Sequence, residues 1–350
     1  MRRLQAQRIL QRDYLEKNMK NLKLFFFVIF LAILVLSVSP FIGKIINNSN
    51  QYIFSIFDFS EQQKEIIYNI RLPQTLMAFF TGFALAVCGL MYQTIFQNDL
   101  ASPYTLGVSS GAAVAAVISI KFNIIFNFAF FSNIGIFAFL GGILTLTLLF
   151  FFSSFSKAFN NFSLLLTGIA LNLFFSALIL LFFYMSNFNE TFRIQRWLIG
   201  TIEEVRLNDA LIFGTVVFCA FLVIYYFRED LNLISITNDE VSRSRGLNVV
   251  KFKILMLIIN TLLVSLVVAF CGPIGFIGLI CPHIAKLLFG YNHKISLIAS
   301  GIVGAITLTL CFTIARLIVF PSIIPVGVIT SLIGAPFLIV LIYINNKIKN

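Results

Sequence analysis

The sequence predicts an all-α polytopic membrane protein of about ten transmembrane helices, on three observations. Of the 350 residues, 59% are hydrophobic and only 11% charged, against about 25% charged in an average soluble domain. A mean hydropathy of +0.97 with 42 Phe exceeds what one soluble core could hide under the polar shell a globule needs. The apolar residues also gather in charge-free stretches of the length a spanning helix requires, about 20 residues. A soluble enzyme, a disordered chain and a secreted disulfide scaffold are excluded.

Nine stretches are read directly, at 24–43, 72–98, 100–120, 122–156, 158–189, 210–227, 254–285, 295–315 and 317–346. The seventh is interrupted by Cys271-Gly272-Pro273-Ile274-Gly275, which cannot continue a helix. Splitting it gives ten helices, at about 23–42, 67–97, 106–120, 131–155, 162–185, 209–227, 252–270, 275–289, 295–316 and 326–346. The third and eighth are short. The first follows Arg2, Arg3, Arg8, Arg12, Lys17, Lys20 and Lys23. Its apolar core is longer than the roughly 7–15 residues of a signal peptide, so it is expected to be retained. The organisation is a basic N-terminus at 1–22 and a single transmembrane domain at 23–346.

Ten helices put both termini on one side, and the distribution of basic residues says which. With the N-terminus cytoplasmic, 17 of the 25 Lys and Arg lie inside. The 8 outside are Lys44, Lys64, Arg71, Lys121, Arg193, Arg196, Arg206 and Arg316. The net charge of +11 is thereby assigned to loops, not to nucleic-acid binding.

The predicted helix centres contain no Asp, Glu, Lys or Arg, whereas ion-coupled carriers usually keep an ionisable group in the membrane. Asp99 falls at the inner end of the second helix. His283, in the eighth, reads as a packing residue. No GxxxxGK[ST] loop is present, so ATP cannot be bound by that device, and active transport would draw its energy from another polypeptide. The five cysteines lie in apolar stretches without a CxxC pair, and two histidines are too few for a metal cluster. No nucleophile–base pair is visible. No catalytic, cofactor-binding or metal-binding residue is expected.

The main hydrophilic insertion inside is 228–250, centred on Asp239-Glu240-Val241-Ser242-Arg243-Ser244-Arg245-Gly246. Asn238 and Asp239 can cap a short helix that Gly246 ends. On pattern alone it is either a dock for a partner or a solvated linker. The halves also echo each other. Ala101-Ser102-Pro103-Tyr104-Thr105-Leu106-Gly107 follows the second helix, and Gly272-Pro273-Ile274-Gly275 follows the seventh. These two helices run in opposite directions, so helices 2–5 and 7–10 are expected to be inverted repeats with a translocation path at their interface.

At these residues the chain resembles the FecCD-type permeases, the membrane subunits of ABC importers for iron-siderophores, haem and cobalamin. Four blocks carry the likeness. Arg71-Leu72-Pro73 leads through Thr81-Gly82 and Gly89 to Gln93 and Asn98. Leu106-Gly107-Val108-Ser109-Ser110-Gly111-Ala112 opens the third helix. The eighth is covered by Gly272-Pro273-Ile274-Gly275-Phe276-Ile277-Gly278-Leu279-Ile280-Cys281-Pro282-His283-Ile284-Ala285. Pro325-Val326-Gly327-Val328-Ile329-Thr330, with Ile333-Gly334-Ala335-Pro336, opens the tenth.

The resemblance implies a multi-pass inner-membrane permease, itself non-catalytic. It implies a second permease chain (the same or a sister), two ATPase subunits inside and a periplasmic or lipid-anchored binding protein outside. It places ATPase coupling on 228–250, hence on Asp239, Glu240, Arg243, Arg245 and Gly246. Arg71 and Arg316 are placed as docking residues for acidic groups of the binding protein. Asn161, Phe162, Ser109 and Ser110 are placed, by position alone, at the path and inner gate. The base rate of the family favours a ferric siderophore, with haem or cobalamin as alternatives. An autonomous carrier or channel is the rival reading. Departures are Gln74 where a second arginine is usual, Asn98-Asp99-Leu100-Ala101-Ser102-Pro103 in the turn after the second helix, Arg245-Gly246 for Leu-Gly, and Asn160-Asn161-Phe162-Ser163 at the gate.

Overall fold

The computed structural model of the chain describes residues 22–46, 52–54, 61–124, 132–154, 161–202, 205–236, 239–319 and 322–349. The basic N-terminus up to residue 21, together with Lys157, Asn160 and Asn238, lies outside the described residues.

All ten predicted helices are present. α1 (Leu22–Phe41) closes in a 3-10 turn at Ser39–Phe41. α2 (Glu61–Ile66) runs through a π turn, Ile67–Arg71, into α3 (Leu72–Phe96). α4 (Val108–Lys121), α5 (Asn133–Ser154) and α6 (Asn161–Tyr184) follow. Beyond them lie α7 (Phe188–Leu198), α8 (Leu207–Tyr226), α9 (Arg228–Ile236) and α10 (Asp239–Ser244). α11 (Val249–Cys271), α12 (Ile277–Phe289), α13 (His293–Ile318) and α14 (Val326–Lys349) complete the chain.

Four features go beyond the sequence reading. The second span begins earlier, at α2, and its π turn precedes Pro73. A proline ring clashes with the carbonyl four residues back, and a widened turn relieves that clash. α7 is an extra amphipathic helix, started by a reciprocal capping box between Asn187 and Glu190. α9 is a second helix within the hydrophilic insertion. A short antiparallel pair, β1 (Lys44–Ile46) with β2 (Tyr52–Phe54), interrupts the otherwise helical architecture.

The expected inverted repeat is visible in which helices touch. α3 packs on α12 and α13, and α11 packs on α4 and α5; α4 packs on α5 and α6, and α12 on α13 and α14. Exchanging α3–α6 for α11–α14 maps one set onto the other. The tightest crossings need glycine. A Cβ on Gly82 would strike the carbonyl of Gly304, and one on Gly89 the carbonyl of Gly278. With lipid outside, such close backbone packing holds helices together where hydrophobic burial cannot.

Polar contacts support the assignment of sides. Lys286 bonds Asp99 at 2.8 Å and Lys253 bonds Asp239 at 2.8 Å, all four expected inside. Lys121 bonds Glu190 at the other end. Apolar side chains such as Leu166, Leu173 and Phe174 on α6 are exposed, as lipid-facing or partner-facing helices require. Cys88, Cys271, Cys281 and Cys311 are buried as expected, whereas Cys219 is exposed on α8.

Candidate translocation path and coupling surfaces

α4 has 14 residues and α12 has 13. At about 1.5 Å per residue, neither covers a hydrocarbon core of about 30 Å. The missing length is irregular backbone, which is tolerated at membrane depth only where it is buried in protein or lines a cavity. Both irregular segments line the same one. A cavity of about 900 Å³ is bounded by Ser102, Pro103, Tyr104 and Thr105 before α4, by Pro273, Ile274, Gly275 and Phe276 before α12, and by Gly327, Ser331 and Leu332 of α14. Gly278 sits against the Leu85 carbonyl and Pro103, and Gly275 lies beside the Tyr104 ring. The two breaks therefore meet although they enter from opposite ends. Phe276 holds φ +67°, a strained conformation for a bulky side chain.

Two residues expected on the path, Ser109 and Ser110, stand apart from this cavity. Ser109 is buried, and Ser110 donates to the Gly107 carbonyl at 3.0 Å. Neither is among the residues lining the cavity; the wall is the irregular segment one turn earlier. Asn161 opens α6 at the inner end, and Phe162 beside it is 73% exposed.

A second, outer cavity of about 1110 Å³ is lined by Asn69, Gln74, Gln195, Arg196, Arg206 and Asp209 among others. α7 frames it and is stitched to both the break and α14. Thr201 N–H donates to the Cys271 carbonyl at 2.9 Å, and Gly327 N–H to the Gly200 carbonyl at 3.4 Å. Lys121, then the Asn187 backbone N–H, hold the Glu190 carboxyl below its ordinary range.

Arg71 and Arg316, expected as docking residues, are buried side chains. They are 5% and 6% exposed. One Arg316 Nη donates to the carbonyls of Ser39 at 2.6 Å and Ile42 at 2.9 Å, and its guanidinium lies 5.6 Å over the Phe312 ring. The Arg71 guanidinium fills the space beside Gly43. Both arginines thus grip the end of α1, where Ser39 and Thr313 also share a hydrogen bond of 2.6 Å. The missed signal lay in α1, because carbonyl acceptors leave no mark in a sequence.

At the inner end, α10 forms where the sequence put it. Gly246, at φ +90°, ends it, Gly246 N–H donates to the Arg243 carbonyl, and Asn248 caps α11. Glu240, Val241, Arg243, Arg245 and Gly246 are exposed, and Asp239 turns inward to Lys253. α9 is pinned elsewhere: Gln97 Nε2 donates to the Ile234 carbonyl at 2.7 Å, and the His293 backbone N–H to Asn232 Oδ1 at 2.8 Å.

Comparison with known proteins agrees with this geometry. The FecCD transport family model matches residues 24–344. The Hemin transport system permease protein HmuU of Yersinia pestis is 34% identical over 276 residues, covering 78% of this chain and 82% of that one. The Fe(3+)-citrate import system permease protein YfmD of Bacillus subtilis is 32% identical over 340 residues, covering 95% and 98%. A solved chain described as an inward-facing conformation of a metal-chelate type ABC transporter superposes with a TM-score of 0.81 at 30% identity, covering 92% of this chain and 99% of that one. The described residues hold ten apolar helices with two breaks meeting in one cavity, and the match over nearly the whole length places this chain in the FecCD transport family, as a multi-pass ABC transporter permease of the inner membrane.

Proposed function

We propose that this chain carries a ferric siderophore or a closely related iron complex inward by alternating access, along a path through the cavity where the breaks before α4 and α12 meet. That meeting carries the reading. Two irregular segments from opposite ends, one with strained Phe276, are what inverted-repeat transporters place around substrate. Two ATPase subunits dock on the exposed face of α10, and a second permease chain covers the exposed α14 side chains Leu332 and Ile333 beside the cavity. The binding protein approaches the outer cavity and meets exposed Arg193, Arg196 and Arg206 first. Arg71 and Arg316, behind them, hold the α1 end beneath that surface. The haemin permease of Yersinia pestis favours haem as the second reading.

The test is reconstitution in liposomes, with radiolabelled ferric siderophore and haemin offered side by side. The chain alone is expected to drive no uphill uptake. With its ATPase subunits and binding protein it accumulates the siderophore upon ATP addition. Accumulation of haemin alone selects the second reading, and uphill uptake by the lone chain overturns both.

A further inference from the structure

We propose that Lys253 is a positioning residue that ties α10 to the start of α6, so that movement of α10 is delivered to the inner end of the path. The inference rests on the reading of α10 as the ATPase-docking helix.

Lys253 is 2% exposed, in the second turn of α11. A buried ammonium is tolerated only with its charge paired and its three N–H groups satisfied. Asp239 supplies both carboxylate oxygens, at 2.8 and 3.0 Å, and Asn161 Oδ1 lies at 2.9 Å. One side chain therefore binds the first residue of α10 and the first residue of α6 at once. The six residues of α10 are too few to hold a helix by themselves, so its position depends on tethers of this kind.

α9 has other anchors. Its Asn232 and Ile234 bond to the start of α13 and to Gln97 at the end of α3. α3 and α13 cross at Gly82 and Gly304 in direct backbone contact, so a push on α9 meets a closely packed pair. A push on α10 instead meets Lys253 and passes to Asn161. α6 then carries it onward, because Gly168 packs on Leu106, next to the segment that lines the cavity. α9 is the fixed hinge and α10 the lever.

The experiment uses the assembled transporter in liposomes and reads substrate moved per ATP hydrolysed. Lys253→Met and Asn161→Ala are expected to lower that ratio by about 5- to 150-fold, the usual span of a coupling between sites, while the ATPase still co-purifies. Asn161→Asp keeps an acceptor for the ammonium and should retain the ratio. Glu240→Arg, on the exposed face of α10, and Arg245→Glu, exposed just beyond its end, test docking separately by loss of ATPase association. Lost association there with a wild-type ratio in Asn161→Ala overturns the tie and leaves docking standing. Retained association in both surface variants overturns the docking reading itself. Where Lys253→Met fails to accumulate, Asn161→Ala against Asn161→Asp decides the tie.

Discussion

Replacing Arg316 by Met separates anchoring from docking, because the two roles lose different quantities. The substitution removes two hydrogen bonds from a charged donor to the Ser39 and Ile42 carbonyls. Bonds to charged groups contribute about 1.5–3 kcal/mol each, so the gross loss is about 3–6 kcal/mol. Against it stands the cost of holding a guanidinium out of water near Arg71. Replacing buried charge by apolar volume can return about 1–4 kcal/mol. The net loss is then about 2 kcal/mol, the difference between the middles of those ranges.

The assay has two arms, thermal unfolding of the purified permease in detergent and affinity for the binding protein. Arg316→Met is expected to lower the unfolding midpoint by several degrees and to leave affinity within a small factor. Arg316→Glu sets a carboxylate against two carbonyl oxygens and should lower the midpoint further. Reversal of the exposed pair Arg193 and Arg196 to Glu should leave the midpoint unchanged and slow binding-protein association most at low salt, the pattern of rim charges. An Arg316→Met protein with an unshifted midpoint and sharply weakened binding would return Arg316 to the docking role and refute the anchor.

Gly89→Val drives a branched side chain into the Gly278 carbonyl; overpacking usually costs about 1–3 kcal/mol, and a crossing with backbone on both sides should exceed that, read as loss of folded protein on size exclusion. Gly246→Val needs no space, since nothing lies within 4 Å, but it must hold φ +90°; the left-handed region costs an ordinary residue about 1–2 kcal/mol, so the α10 end should fray and transport uncouple from hydrolysis while membrane insertion survives. Glu190, its carboxyl held low first by Lys121, should stabilise the seating of α7 above the ordinary carboxylate range and lose that effect only as pH falls through its depressed value; hydrogen-exchange protection of α7 followed against pH measures this, and Glu190→Gln should flatten the profile.

The spans were legible because length and apolarity are local properties, and the break at Gly272-Pro273 because a glycine free to take positive φ, followed at once by proline, ends a helix. The end of α10 was legible for the same reason, in Gly246. α7 carried a signal as plain, the Asn187–Glu190 capping box, but a search for apolar runs passes over a helix whose exposed face holds Arg193 and Arg196. What a sequence cannot show is which distant carbonyl a cation will find. Arg316 and Ile42 are 274 residues apart, and Lys253 and Asn161 are 92 apart. Arg71 and Arg316, expected to meet the binding protein, lie buried at the end of α1, a contact that no local pattern announces. Ser109 and Ser110 illustrate a related point: a run of small residues on α4 permits close packing on any side and does not say which side meets the cavity.

The inverted repeat bears on the proposed alternating access. α6 and α14 are equivalent in the repeat, yet they start at opposite ends of the membrane. The start of α6 is held at the inner end, by Asn161 to Lys253 at 2.9 Å. The start of α14 is held at the outer end, by Gly327 N–H to the Gly200 carbonyl at 3.4 Å. The inner tie is charged and reaches a helix with an exposed face, so an inner partner can move it. The outer tie is a long, uncharged backbone contact beside the outer cavity. A duplicated unit, inverted, thus puts the same mechanical point, the first turn of the last helix of each half, within reach of a different compartment. Packed helices shift between discrete arrangements rather than deforming continuously. Pulling one start while the other stays held would open the cavity to one side at a time.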